Sequence, residues 1–309
     1  LRVVEPLRQM GASIETASNG WPPIAIRGGS ALRGIRYALP VASAQVKSAL
    51  LLAGMYADGE TIVVEPHPTR DYTESMLSAF GLQIECHPGM ARLAGGQSLR
   101  ATQIKVPADF SSAAFFITAA CLVPGSDLRL DGVGINPRRT GLLHALRLMG
   151  ANIELMNERV SGGEQVADVR VRAARLHGAD IPESIVPDMI DEFPVLFAAA
   201  AAADGVTRVS GAAELRVKES DRLAVMASGL RAAGIAVDET PDGASIHGGV
   251  LQSALIESHG DHRISMAFAV AAQVATGEIR IQDCANVATS FPGFDQLAVS
   301  SGMNIQVCD

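Results

Sequence analysis

The chain has 309 residues, of which 48% are apolar, 19% charged and only 4% aromatic. That excludes an intrinsically disordered chain, which is charge-rich and apolar-poor, and at roughly 100–200 residues per domain it points to about two domains. Twenty-five Lys and Arg against 33 Asp and Glu give a net charge of −8, which argues against a general nucleic-acid or membrane-surface binder. From the N-terminus, the first phrase is LRQMGASIE at Leu7–Glu15: an amphipathic helix, a Gly and an alternating strand. It returns as LSAFGLQIE (Leu77–Glu85), LRLMGANIE (Leu146–Glu154), LRAAGIAVD (Leu230–Asp238) and, more loosely, AVSSGMNIQ (Ala298–Gln306). Gly just past a helix is a stop signal, because it accepts a left-handed backbone without a Cβ penalty.

A second phrase interleaves with the first: an apolar, Ala-rich helix, a Gly, then a strand. The helices are expected over about 44–57, 112–122, 193–203 and 264–275, and the strands after Gly59, Gly125, Gly205 and Gly277. Helices apolar on nearly every face are buried on all sides. The two phrases together repeat about every 70 residues, which predicts a few compact βαβαββ units with sheets around central helices. A boundary is expected near Pro107, dividing the chain into 1–107 and 108–309. The first phrase has almost no strand ahead of it, so half a unit is expected to be missing upstream and the first domain to be truncated. The longest apolar run, Phe193–Ala203, is too short to cross a bilayer. Cys86, Cys121, Cys284 and Cys308 form no CxxC pair. That fits a reducing compartment, and a cytoplasmic location is expected.

Cations gather where helices begin. Lys47 lies in the first turn after Ser43-Ala44-Gln45, Lys218 and Arg222 stand at the expected start of the helix before Gly234, and His262-Arg263 open the fourth apolar helix. Cations are disfavoured at a helix N-terminus unless an anion binds there. The competing reading is that they bend away or pair with acids. RVKESDR (Arg216–Arg222) is either a solvated, ion-paired face or an anion clamp with Glu219 as an acid–base carboxylate. Asp191, ahead of an apolar helix, is either an N-cap or a base held at the helix mouth. Ser43 and Gln45 read as caps or ligand donors. No metal-ligand spacing is present.

Several ordered segments carry a resemblance: ASAQVKSALLLAG (Ala42–Gly54), PTRDYTESML (Pro68–Leu77), MIDEFPVLFAAAA (Met189–Ala201), LRVKESDRL (Leu215–Leu223), GDHRISMAF (Gly260–Phe268) and ATSFPGF (Ala288–Phe294). Together they resemble the enolpyruvyl transferases, specifically the EPSP synthase family. The SAQ, TRD and DEFP wording is similar to its class II-like, glyphosate-tolerant branch. The resemblance implies an α/β fold of two inside-out α/β barrel domains, each of three βαβαββ units. The implied reaction transfers the enolpyruvyl group of phosphoenolpyruvate to the 5-hydroxyl of shikimate 3-phosphate, releasing phosphate without metal or organic cofactor. A monomer is implied, with glyphosate as a possible inhibitor.

Position by position, the resemblance makes Asp191 the acceptor of the 5-hydroxyl proton and Glu219 the carboxylate that delivers and removes protons at the methylene carbon. It makes Lys218 a contact to the sugar-like substrate, and His262 a supporting residue. Arg222 and Arg263 would bind phosphoenolpyruvate, with Gln45. Ser43, Ala44, Gln45 and Arg70 would contact shikimate 3-phosphate. Thr289 and Glu214 stand where family members often carry Lys and, in some, Asn. The family's N-terminal loops, with a catalytic Lys, would precede Leu1, so the chain reads as the C-terminal ~70% of such a protein, with little or no turnover alone. The alternatives are a transferase acting on UDP-N-acetylglucosamine, which RVKESDR and DHR disfavour, and a non-catalytic fragment or fusion segment.

Overall fold

The computed structural model describes residues 1–308. All five glycines of the first phrase, Gly11, Gly81, Gly150, Gly234 and Gly302, take positive φ between 88° and 101°, except Gly234 at 84°. In every copy the residue after the Gly donates its N–H to a carbonyl five residues back, as in Leu82 to Leu77 and Ile235 to Leu230. That is the Schellman closure of a helix C-terminus. The fifth copy stops there, because no strand forms after Gly302.

The chain divides into two units, Leu1–Val106 with Val160–Glu164, and Pro107–Arg159 with Gln165–Asp309. The first unit runs α1 (Val4–Gln9), β1 (Ser13–Thr16), β2 (Ile24–Arg27), β3 (Arg36–Ala38), α2 (Ala44–Gly54), β4 (Glu60–Val64), α3 (Tyr72–Ala79), β5 (Ile84–His87) and β6 (Met90–Ala94). Residues 36–94 thus form one complete βαβαββ repeat, with sheet order β3-β4-β6-β5 and β3 parallel to β4 across α2. Strands β1 and β2 pair antiparallel beside it. Helix α2 is less enclosed than its composition predicts: Leu50 and Leu51 are fully buried, but Leu52 is 49% exposed.

The second unit begins with α4 (Phe110–Leu122), β7 (Asp127–Gly134), α5 (Gly141–Leu148), β8 (Asn152–Ser161), β9 (Glu164–Arg172), α6 (Phe193–Ala201) and β10 (Val206–Val209). It continues with α7 (Arg222–Ala232), β11 (Val237–Thr240), β12 (Gly243–His247), β13 (Ala254–Glu257), α8 (His262–Ala272), β14 (Ile279–Gln282), α9 (Ala285–Ser290) and α10 (Phe294–Ser300). Its sheets are β7-β9-β8, β10-β12-β11 and the parallel pair β13-β14. The repeat persists with its first strand worn down: parallel single bridges Ala108–Val133 and Asp180–Arg208 stand where β3–β4 and β13–β14 pair fully. Helices α4, α6 and α8 pack on one another inside the sheets, and every residue of α6 is buried. This is an inside-out α/β architecture. Phe291 and Phe294 close it against α4, their rings 6.1 and 5.9 Å from that of Phe116. Among the described residues no helix is long and apolar enough to cross a membrane.

Candidate active site

Side-chain contacts bring the first turns of α6, α7 and α8 together. Asp261, the N-cap of α8, accepts from Arg263 N at 3.0 Å, from Ser220 Oγ at 3.0 Å and from Arg222 Nε at 2.8 Å. Arg222 opens α7 and is 1% exposed. Its Nη2 donates to Glu219 Oε2 at 2.6 Å, while its Nη1 is buried without a partner. Arg263 Nη1 donates to the carbonyl oxygen of Asp191 at 2.9 Å. Thus Asp191, Lys218, Glu219, Arg222, His262 and Arg263 all fall in the second unit, around the mouths of α6, α7 and α8.

Asp191 is the centre of this cluster. Its Oδ1 lies 3.7 Å from both Lys218 Nζ and Arg222 Nη1, beyond hydrogen-bonding distance of either. Burial raises the proton affinity of this carboxyl, but the charges of Arg263, Lys218, Arg139 and Arg222 outweigh it and hold the pKa below the ordinary aspartate value. The capping reading fails here. The N-cap of α6 is Glu192, and no side chain caps that helix. Pro194 also removes one N–H from its first turn. The mouths of α4, α7 and α8, by contrast, are capped by Asp109, Asp221 and Asp261.

Two expectations need correction. Lys218 does not stand at the start of the helix before Gly234: a 3-10 turn at Ala213–Val217 ends at Lys218, and α7 begins only at Arg222, after its cap Asp221. The break sends Lys218 Nζ to Glu214 Oε1 at 2.6 Å and leaves Arg222 in the interior. Lys47 is no anion site. It is 2% exposed and paired with Glu65 at 2.9 Å and Glu74 at 2.7 Å. Glu65 in turn holds Thr69, next to Arg70, through its N–H at 3.4 Å. Removing one partner of a buried pair leaves uncompensated charge, so Lys47→Met should cost about 3–5 kcal/mol of stability. An unchanged urea midpoint in the first unit's signal would contradict that.

Ser43, Ala44, Gln45 and Arg70 lie in the first unit. Ser43 caps α2, its Oγ accepting from Val46 N at 3.4 Å, and Ala44 and Gln45 open that helix. Sequence reasoning missed Arg139, Ser111, Glu192 and Asp261. Arg139 precedes Gly141, the first residue of α5, so the rule of cations ahead of helices could have found it. Ser111, the second residue of an apolar helix, carries no such signal.

Burial, and then the charge of Arg263, lower the pKa of His262, which favours neutral imidazole. Burial raises the pKa of Asp261, but the hydrogen bond from Arg222 and its charge lower it further, for a net depression. Its stabilising contribution is therefore fully present above the ordinary value of 3.8 and is lost as pH falls through the depressed folded-state value. Asp261→Asn should be much less stable than wild type at pH 7, and the gap should narrow in that acid window. A gap independent of pH would contradict the assignment. Two cavities of about 360 and 550 Å³ open elsewhere in the second unit, and none of the cluster residues lines them. Among the described residues, no group of three His, Cys, Asp or Glu is placed to hold a metal ion.

The family model described as EPSP synthase (3-phosphoshikimate 1-carboxyvinyltransferase) matches residues 1–297. A curated protein of Xanthomonas campestris pv. campestris, called 3-phosphoshikimate 1-carboxyvinyltransferase, is 70% identical over 304 residues, covering 98% of this chain and 69% of its own length. The protein of the same name from Xanthomonas oryzae pv. oryzae is 66% identical over 308 residues, covering 100% of this chain and 70% of its own. The solved EPSP synthase of Acinetobacter baumannii superposes with a TM-score of 0.95 at 50% identity, covering 100% of this chain and 72% of its own. The enolpyruvyl transferase NikO of Streptomyces tendae shares the fold, with a TM-score of 0.79 at 17% identity, covering 99% of this chain and 71% of its own.

Proposed function

The chain belongs to the EPSP synthase family, and on that premise we propose that it transfers the enolpyruvyl group of phosphoenolpyruvate to the 5-hydroxyl of shikimate 3-phosphate, releasing phosphate. The observation that carries the reading is the Asp191 carboxylate, set among Arg263, Lys218, Arg139 and Arg222 yet 3.7 Å from the nearest of those charges measured to its oxygen. Its oxygens are free to take a hydroxyl proton, and the cations suit two anionic substrates in a protein whose net charge is −8.

In this reading Asp191 accepts the 5-hydroxyl proton as that oxygen attacks C2 of phosphoenolpyruvate, while Glu219 gives a proton to the methylene carbon. Cationic character at C2 is stabilised by fixed carboxylates. The resulting tetrahedral phosphate ketal expels phosphate as Glu219 takes a proton back from the methyl carbon. Arg222 and Arg263 hold the carboxylate and phosphate of phosphoenolpyruvate, where a planar fork suits both, with Gln45. Lys218, Ser43, Ala44, Gln45 and Arg70 contact shikimate 3-phosphate, and His262 supports them. Bound anions offset the cations around Asp191 and raise its proton affinity toward that of a working base. The SAQ, TRD and DEFP segments support the class II-like placement, with glyphosate competing at the phosphoenolpyruvate positions. The location that fits such an enzyme is the cytoplasm.

The test follows the gene-encoded protein by phosphorus NMR. Inorganic phosphate should appear in step with loss of phosphoenolpyruvate, and only when shikimate 3-phosphate is present. Consumption with UDP-N-acetylglucosamine instead, or with neither acceptor, would overturn the reading.

A further inference from the structure

Glu192 occupies the N-cap position of α6 but does not cap it. Its carboxylate turns inward instead and is 3% exposed. There Oε1 accepts a short hydrogen bond from Ser111 Oγ, which itself accepts one from Arg139 Nη2. Arg139 Nη2 lies 4.0 Å and Arg263 Nη1 3.5 Å from the same Oε1. Arg263 is thereby fixed by two consecutive residues: the carbonyl oxygen of Asp191 at 2.9 Å and the side chain of Glu192.

Burying an anion is costly, and a short Ser or Asp would serve better as a cap. Burial raises the pKa of Glu192 against the charges of Arg263 and Arg139 and the hydrogen bond from Ser111; what the glutamate supplies here is a buried carboxyl acceptor behind two guanidinium groups. We propose that Glu192 is a positioning residue: through Oε1, with Ser111 and Arg139, it sets the orientation of Arg263 beside Asp191, and so tunes the binding of the anionic donor substrate rather than the proton transfer. This rests on the reading of Arg263 as a phosphoenolpyruvate contact.

Glu192→Gln keeps the side chain's shape and replaces its carboxyl with an amide that cannot ionise. In the gene-encoded protein it should raise KM for phosphoenolpyruvate about tenfold or more, as expected for loss of a charged hydrogen-bond partner. KM for shikimate 3-phosphate should stay within about twofold of wild type, because Glu192 holds none of its proposed contacts. Ser111→Ala should move KM for phosphoenolpyruvate in the same direction by less. Combining Glu192→Gln with Arg263→Lys should be less than additive, since both act on one guanidinium. A merely structural role would lower thermal stability without separating the two KM values. Equal shifts in both KM values, or no shift for phosphoenolpyruvate, would overturn the proposal. Should Glu192→Gln not fold, the same KM ratio in Ser111→Ala decides. A wild type that turns over neither substrate defeats the functional reading itself; a working wild type with an indistinguishable Glu192→Gln defeats only the positioning role.

Discussion

Asp191→Ala in the gene-encoded protein should lower kcat by about 10²–10⁴, the range of a lost general base, and the variant should still fold. The expectation of an intact fold comes from the geometry: Asp191 caps no helix, its carboxylate is beyond hydrogen-bonding distance of Lys218 and Arg222, and its backbone carbonyl, which survives the substitution, keeps Arg263 in place. Removing one negative charge from among four cations also leaves the site more attractive to anions, so KM for the two substrates should not rise in proportion to the loss of turnover. Circular dichroism and a thermal melt check the first part, and steady-state kinetics the second. Near-wild-type turnover would remove Asp191 as the base, whereas loss of folding would restore the capping role.

Arg222→Lys carries the second large effect, and it strikes stability and activity together. Arg222 reaches Asp261 through Nε and, at 3.5 Å, Nη2, and Glu219 through Nη2, while its Nη1 is buried without a hydrogen-bond partner, 3.7 Å from Asp191 Oδ1. A lysine supplies one point charge in place of that planar fork, so the bonds to Asp261 and Glu219 cannot both keep their present geometry. Asp261, fully buried, is left short of its strongest partner, at a cost of about 3 kcal/mol or more. Loss of the fixed guanidinium fork at the proposed phosphoenolpyruvate contact should lower kcat/KM by about 10²–10³. Chemical denaturation and kinetics read the two effects separately. A lysine variant with wild-type stability would mean that Asp261 does not depend on the guanidinium.

Much of the fold was legible because backbone rules wrote it twice. The five glycines announce helix ends whose φ values the structure then displays, and the Ala-rich runs announce the enclosed helices. The exceptions have local causes. The strand after Gly302 does not form, and the first strand of two repeats shrinks to single bridges, which no periodicity of three or four residues can signal. In the site, cations ahead of helices pointed to Arg222 and Arg263, which the structure brings together at the helix mouths, and also to Lys47, which it pairs with two glutamates. Burial does not separate those cases, since Arg222 and Lys47 are equally buried; Lys47 is held between Glu65, just after β4, and Glu74 of α3, whereas Arg222 keeps Nη1 without a hydrogen-bond partner. Asp191 reads as a cap or a base, and Glu192 beside it carries no signal of its own. Only the tertiary arrangement of Ser111, Arg139 and Arg263 turns both away from capping.

The most direct test is a single assay on two proteins: phosphate release with both substrates present, by the gene-encoded wild type and by Asp191→Ala at matched concentrations of folded protein. The account predicts release that requires both substrates in the wild type and that collapses in the variant. Equal release by the two, or release by the wild type from phosphoenolpyruvate alone, would contradict it.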